Sequence, residues 1–564
     1  MHRATSSTNH RPAVTWLTLL IVAGILGACG DDAGAGDPDG AVAPDGSARG
    51  DAGASGDWYA PDPEGRTTEG NRIEDAPAAL VITSDALSAA WSRYVGLRSV
   101  LWAKTDVVTV ETITASQPGA DAAEKLRGYL RERYTDDGVA YVLMAGDAAE
   151  VPFRRVDNAI TIPGGETYTS NAPSQLYFAN VEVDWDADGD GVGGERGDDF
   201  DLEEARQTQI AVGRVPTDRV DEVEAYTAKM LRYVTAEQGR VTHPLLLSDV
   251  AATVPILGAI DAAEGIEVTY EAFFPPEFKS HVRKIYATAG AADKYGGEEF
   301  TKEGTKAALE EGYALVLHNG HGSHGYLTDR LNTDWVNALE NELPPVFLSC
   351  ACLTGNYADV AKYPTCDRWV EQTPDQDSAG ERLILNTTGA VAYVGNVQVG
   401  LGMLGGAQFL HAMMEGLFVD GLDRIGDTFN RGHARMRSIE WSVSSLPSVM
   451  TDESEWWTHH GVILLGDPSL RIWTAPRPRL TLEAPATYGP GFNELWVTVR
   501  DEGDQPAAGV TVRLFKADDL YLEQTTGEDG RARFAFVPYG PGELLLGATS
   551  PTDTPVYAAV QPVE

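Results

Sequence analysis

Two short segments, Asn319-Gly320-His321-Gly322-Ser323 and Ser349-Cys350-Ala351-Cys352, each follow an apolar run, with His321 and Cys352 standing 31 positions apart (352 minus 321). The runs Ala314-Leu315-Val316-Leu317 and Val346-Phe347-Leu348 are short, continuous and β-compatible, as strands buried on both faces of a parallel sheet are. Between them, Asn332-Thr333-Asp334 followed by Trp335, Val336, Leu339 and Glu340 reads as a capped helix. Strand, helix, strand is a βαβ unit, whose two strands run parallel. His321 and Cys352 are therefore expected together at the carboxyl edge of the sheet, where open α/β sheets place their ligands.

The same pattern runs through most of the chain. Apolar runs recur at 79–82, 107–110, 140–144, 245–247, 315–317, 346–348 and 390–394, with amphipathic segments such as 122–133 and 221–233 between them. Such alternation predicts an α/β fold, a parallel sheet with helices on both faces. A break near Gly239 to Pro244 divides it into a first subdomain, 76–240, and a second, 241–474, that carries His321 and Cys352. After Trp473, Ala475-Pro476-Arg477-Pro478 marks a boundary, and helical periodicity is lost. Seven strand candidates, beginning at 480, 495, 510, 520, 532, 544 and 556, read as an immunoglobulin-like sandwich over 476–564.

A free thiol titrates near pH ~8.5, so a cysteine nucleophile needs a neighbouring imidazole to hold it as thiolate. His321 is suited to that, with Cys352 as nucleophile. Without a Cβ, Gly322 lets the backbone approach a substrate and aim an N–H at a developing oxyanion, with the Cys352 amide as second donor. Each residue alone has an ordinary reading: Cys352 as a small buried hydrophobe and His321 as a structural histidine. His324 and Cys350 are nearby rivals for the two roles.

The Gly-His-Gly and Ala-Cys elements resemble those of the gingipain-like cysteine peptidases, which share a caspase-like arrangement. Tyr141-Val142-Leu143-Met144-Ala145-Gly146-Asp147 with Val151-Pro152, Val212-Gly213-Arg214-Val215-Pro216, and Leu464-Leu465-Gly466-Asp467-Pro468-Ser469-Leu470 resemble three further landmarks of that family, in its order. The resemblance implies a cysteine endopeptidase: peptide hydrolysis through an acyl-enzyme, with Cys352 as nucleophile and His321 as general base and then acid. Glu166 and Asp147 are candidates for orienting His321. Pro173-Ser174-Gln175-Leu176-Tyr177 matches the place where arginine-specific members carry an aspartate, and the best-matching position here is Ser174. With Ser174 and Gln175 at the substrate pocket, a neutral hydroxyl cannot make the bidentate contact that selects arginine. Arginine specificity is therefore not carried over.

Three other readings compete. A sorting peptidase of the same fold would transfer chains instead of digesting them. An inactive, calcium-dependent surface adhesion protein would keep only the scaffold. His321 and His324 with Cys350 and Cys352 supply the ligand types of a structural zinc site, although Cys-x-Cys is tighter than the usual spacing.

Asp184-Trp185-Asp186-Ala187-Asp188-Gly189-Asp190-Gly191-Val192-Gly193-Gly194-Glu195 fits the Asp-x-Asp-x-Asp-Gly-x5-Glu calcium-loop pattern. Asp184, Asp186, Asp188, Asp190 and Glu195 are its candidate ligands for structural calcium. Leu176-Tyr177-Phe178 before it reads as strand, so this is an EF-hand-like loop outside an EF-hand. No organic cofactor is expected.

Arg3 and Arg11 precede an apolar stretch from Val14 to Gly27, a signal-peptide core too short for a membrane span. Leu26-Gly27-Ala28-Cys29 resembles a bacterial lipobox, which implies removal of residues 1–28 and lipidation of Cys29; an ordinary signal peptide is the alternative. Residues 29–75, rich in Gly, Ala, Asp and Pro, bury too little surface to order and read as an acidic tether. These features imply a lipid-anchored protein of the bacterial cell envelope, at the outer membrane or cell surface. Of the four cysteines, Cys350 and Cys366 then remain, to pair as a disulfide in an oxidising compartment or to leave Cys350 buried in its strand. The net charge of −41 argues against nucleic acid; proteins or peptides as substrates are what the resemblance to the gingipain-like peptidases implies, and the membrane is a partner through the implied anchor.

Overall fold

The computed structural model describes residues 64–69, 77–161, 167–236, 238–254, 258–328, 331–358, 377–437 and 450–563. The chain divides into two compact units that interleave along the sequence: 147–216 with 240–474, and 32–146 with 217–239 and 475–564. The expected cut near residue 240 coincides with one crossing, but 147–216, expected with the first subdomain, pack with the residues that carry His321 and Cys352.

In the second unit, strands β1 (Ala79–Thr83), β2 (Thr105–Thr109) and β3 (Tyr141–Ala145) pair in parallel in the order β3-β1-β2. Helices α1 (Asp85–Leu101), α2 (Ala122–Asp137) and α3 (Val220–Val234) accompany them. The ends of α2 follow from its sequence. Asp121 caps it by accepting the Glu124 N–H at 2.9 Å, and Gly138 ends it at φ 72°, where a residue without Cβ is favoured.

The C-terminal residues form two all-β sheets in this unit, one of three strands and one of five. Leu495, Val497 and Val499 from the first meet Val512, Leu514 and Leu546 from the second in one core. Burying such side chains stabilises by about 1.5–3 kcal/mol each. The seven expected strands are present, together with an eighth, Thr487–Tyr488.

In the first unit the strands of the main sheet are β4 (Ala211–Val215), β5 (Pro244–Ser248), β6 (Arg283–Tyr286), β7 (Glu298–Glu299), β8 (Leu315–Asn319), β9 (Val346–Ser349), β10 (Ala392–Asn396) and β11 (Val462–Gly466). Their order is β7-β6-β5-β8-β9-β10-β11-β4. Pairing is parallel except between β10 and β11, where Ala392 faces Gly466 and Asn396 faces Val462. That reversal departs from the all-parallel expectation; helix α4 (Asp452–Gly461) runs straight into β11. β4, β5, β8, β9, β10 and β11 are buried along their whole length, which explains continuous apolar runs in place of alternation. The result is an α/β caspase-like arrangement. No helix among the described residues is long and apolar enough to cross a membrane.

Candidate active site

Register decides where His321 and Cys352 fall. β8 and β9 pair in parallel from Leu315 with Val346 to His318 with Ser349, an offset of 31 residues. His321 and Cys352 share that offset and lie three positions beyond the last pair, so both chains leave the sheet at the same edge. The expected helix between the strands is present as Thr333–Asn337, with the Asn332 side chain accepting the Trp335 N–H at 3.2 Å.

Gly322 shows how closely the two loops approach. A Cβ there would stand 2.7 Å from Ala351 Cβ, 2.7 Å from Thr354 Cγ2 and 3.1 Å from the Cys352 carbonyl oxygen. Bringing the residue after His321 onto the Cys352 turn thus requires glycine. His321 is half-buried, and its carbonyl accepts the Thr328 N–H at 3.0 Å, closing a loop that contains the Gly322–Ser323 and Tyr326–Leu327 hairpin.

The cysteine turn is held from the neighbouring strand. Asn396, the last residue of β10, donates its side-chain amide to the carbonyls of Cys350 (3.0 Å) and Ala351 (3.1 Å). Leu353 follows at φ 58°, a left-handed conformation that costs a branched-chain residue on the order of 1–3 kcal/mol and turns the chain sharply. Its N–H donates to the Gln398 carbonyl at 3.1 Å. The Cys352 thiol faces the Gly400 carbonyl at 3.6 Å, and Cys352 is 9% exposed.

The rival cysteine is chemically different. Cys350 is buried with a free thiol, and burial, with the neighbouring Cys352 adding to it, pushes that thiol up to about 12. A thiol so rarely ionised near neutral pH is a poor nucleophile. Its expected disulfide partner, Cys366, lies outside the described residues, as do Glu166 and Cys29. His324 is also buried, and its carbonyl accepts the Ala379 N–H at 2.7 Å.

Ser174 and Gln175 are placed differently from the expectation. Ser174, 1% exposed, meets His460 Nδ1 at 3.1 Å through its hydroxyl. Gln175 makes a two-way amide pair with β11, donating to the Leu464 carbonyl (3.1 Å) and accepting the Leu464 N–H (2.8 Å). Both side chains are committed to interior bonds, and neither is presented to solvent as a pocket wall would be. Asp147, the other candidate for orienting His321, accepts the Ala148 N–H through Oδ1 at 2.7 Å.

The acidic loop keeps part of its expected ligand set. Among the described residues, Asp186, Asp188 and Asp199 bring carboxylate oxygens within 4.8 Å of one another, and no cluster includes His321, His324, Cys350 and Cys352, so the zinc reading loses its geometry. Asp199, and not Glu195, is the third carboxylate of that group. Its carboxylate accepts N–H groups of Ala187 (2.7 Å), Gly194 (2.8 Å) and Glu195 (2.9 Å), pinning both ends of the loop. The Glu195 carboxyl is pushed up by desolvation and by the charges of Asp190, Asp198, Asp199 and Asp188. Asp184 and Asp190 each accept a nearby backbone N–H, those of Asp186 (3.3 Å) and Val192 (2.7 Å). Beneath the loop Trp185 is buried, with Gly193 and Gly194 against it. The preceding 176–179 segment is a buried helical turn, correcting the strand reading; three apolar residues in a row do not distinguish the two.

Asn396, Ser349, His318 and Asp199 were not singled out by sequence reasoning. The first three sit at the carboxyl ends of apolar runs, where the strand-end rule would have found them.

The fold is similar to that of the Arg-specific cysteine proteinase gingipain R, with TM-score 0.55 and 16% identity, covering 88% of this chain and 100% of that one. It is equally similar to the complex of pro- and mature domains of RgpB from Porphyromonas gingivalis (TM-score 0.56, 16% identity, 86% of this chain and 100% of that one). No curated protein matches the chain in sequence. The sequence pattern of peptidase family C25 matches residues 73–473. The chain belongs to peptidase family C25, the gingipain family, and is a cysteine endopeptidase.

Proposed function

We propose that Cys352 is the nucleophile and His321 its general base and acid. The observation that carries this reading is the shared 31-residue offset of β8 with β9 and of His321 with Cys352, together with the close approach of Gly322 to the Cys352 carbonyl. His321 takes the thiol proton, and Cys352 Sγ bonds to the scissile carbonyl carbon. The Gly322 and Cys352 amides stabilise the resulting oxyanion. As the oxyanion collapses, the C–N bond breaks and His321 gives its proton to the leaving amine. A water deprotonated by His321 then attacks the thioester and restores the thiol. Labelling by acyloxymethyl-ketone peptides tests this: the probe is expected on the parent protein and absent from Cys352→Ala. Transfer of the acyl group to an added amine in place of water would mark a sorting peptidase.

The carboxylates of Asp186, Asp188 and Asp199 are hard oxygen donors of the kind calcium takes, and the like-charge pressure on Glu195 is what a divalent ion would relieve. On this reading calcium ties the loop together, with Asp199 serving in place of Glu195. Arginine specificity is not carried over, since Ser174 and Gln175 place no carboxylate at a substrate pocket: their side chains bond His460 and Leu464. The C-terminal all-β part is read as an immunoglobulin-like brace or docking module. The lipobox-like Leu26-Gly27-Ala28-Cys29 and the acidic composition of 29–75 support a lipid-anchored enzyme of the cell envelope, at the outer membrane or surface, acting on proteins or peptides.

A further inference from the structure

At the last registered pair of β8 and β9, a side-chain bond joins the strands. His318 Nδ1 meets Ser349 Oγ at 2.9 Å, and Oγ also accepts the Ala351 N–H at 3.1 Å. His318 is 1% and Ser349 3% exposed. Beyond this pair the Cys350 N–H reaches the His318 carbonyl at 3.1 Å, and the two chains continue into the His321 loop and the Cys352 turn. The Tyr393 hydroxyl engages Ser349 and also donates to Thr354 Oγ1 at 2.7 Å, so the same hydroxyl cluster grips the far side of the cysteine turn.

We infer that His318 and Ser349 are positioning residues for hydrolysis: a buried imidazole–hydroxyl pair that clamps the end of the histidine strand to the end of the cysteine strand and holds His321 and Cys352 in reacting register. The inference rests on the dyad reading above. Ser349 acts at two points, on β8 through His318 and on its own turn through the Ala351 N–H, one residue before Cys352. Neutrality suits the task. Burial, and then the charge of a protonated His321, hold the His318 imidazole down to about 3, so it does not compete for the catalytic proton. A cation at 318 would oppose the imidazolium that must form at 321.

The test compares Ser349→Ala with Ser349→Thr, which keeps the hydroxyl, in the full chain. The readouts are kcat and KM on a fluorogenic peptide cleaved by the parent, and the pH dependence of Cys352 alkylation by iodoacetamide. Ser349→Ala is expected to lower kcat at least tenfold with KM within twofold, and to shift the rise in alkylation to higher pH. Ser349→Thr is expected to restore both to within threefold of the parent. Parental kcat and alkylation in Ser349→Ala, or equal losses in the two variants, would overturn the assignment. If Ser349→Ala does not fold, His318→Asn, whose amide replaces Nδ1, is compared with His318→Leu. Activity kept in the first and lost in the second supports the clamp, and equal behaviour overturns it. Cys352→Ala run alongside separates the two claims, because its retained activity would sink the dyad itself whatever Ser349 does.

Discussion

Replacing Gly322 by alanine adds one methyl where the His321 loop meets the Cys352 turn. That methyl would lie 2.7 Å from Ala351 Cβ and from Thr354 Cγ2, and 3.1 Å from the Cys352 carbonyl oxygen. Carbons pack at about 3.5–4.0 Å, so relief requires the loops to part by roughly 1 Å. Overpacking of this kind costs about 1–3 kcal/mol of stability. The effect on chemistry should be larger than that on folding, since a displacement of about 1 Å between reacting groups costs roughly 100-fold in rate. At about 1.36 kcal/mol per tenfold, that is roughly 2.7 kcal/mol of barrier. The assay is steady-state hydrolysis of a fluorogenic peptide with a melting curve on the same preparation. Gly290→Ala is the control: Gly290 is in helix Ala289–Tyr295 with nothing within 4 Å of its added Cβ, so it should be silent in activity. Gly322→Ala that folds and keeps activity within threefold of the parent would refute the close approach on which the site is built.

Acid should destabilise the catalytic unit through its buried histidines. Burial first, and nearby charge second, holds His318 and His460 to about 3 and His411 to about 4, and also lowers His433; burial lowers His459 too, against the opposing hydrogen bond and charge of Glu455. The unfolded chain therefore binds more protons than the native one below the ordinary histidine value near 6.5. Stability should fall from about pH 6.5 towards pH 4, by up to about 1.4 kcal/mol per pH unit for each such histidine. Urea midpoints measured across that range check this, and a flat profile contradicts it. Calcium should raise the melting temperature, and terbium bound in its place should luminesce on excitation of Trp185; Asp188→Asn should lose both responses, and Glu195→Gln should keep them. Equal loss in the two variants would return Glu195 to the ligand set. Cys350→Ser should retain at least a third of parental activity, measured as kcat/KM, because the Cys350 thiol stays protonated and takes no part in attack.

The shared sheet edge of His321 and Cys352 was legible because one arithmetic fact has a structural equivalent: their spacing is the strand register itself. Two apolar runs and a capped helix sufficed to infer parallel strands, and parallel strands fix which end the loops share. The reversal at β11 was not legible, since a fully buried strand reads the same in either direction. Asp199 was missed because a linear loop pattern assigns the closing carboxylate by count, whereas the chain folds back so that residue 199 collects three N–H groups from the loop. Ser174 sits in a family landmark, but His460, 286 residues away in sequence, decides which way its hydroxyl turns. Asn396 carries no motif and acts through two carbonyl contacts that exist only once the ends of β9 and β10 lie side by side.

The most direct test of the central claim is peptide mapping of the adduct formed by an acyloxymethyl-ketone peptide probe on the reduced protein with calcium present. The account predicts modification at Cys352, unchanged in Cys350→Ser and sharply reduced in His321→Ala. Modification at Cys350, or undiminished labelling of Cys352→Ala, would contradict it.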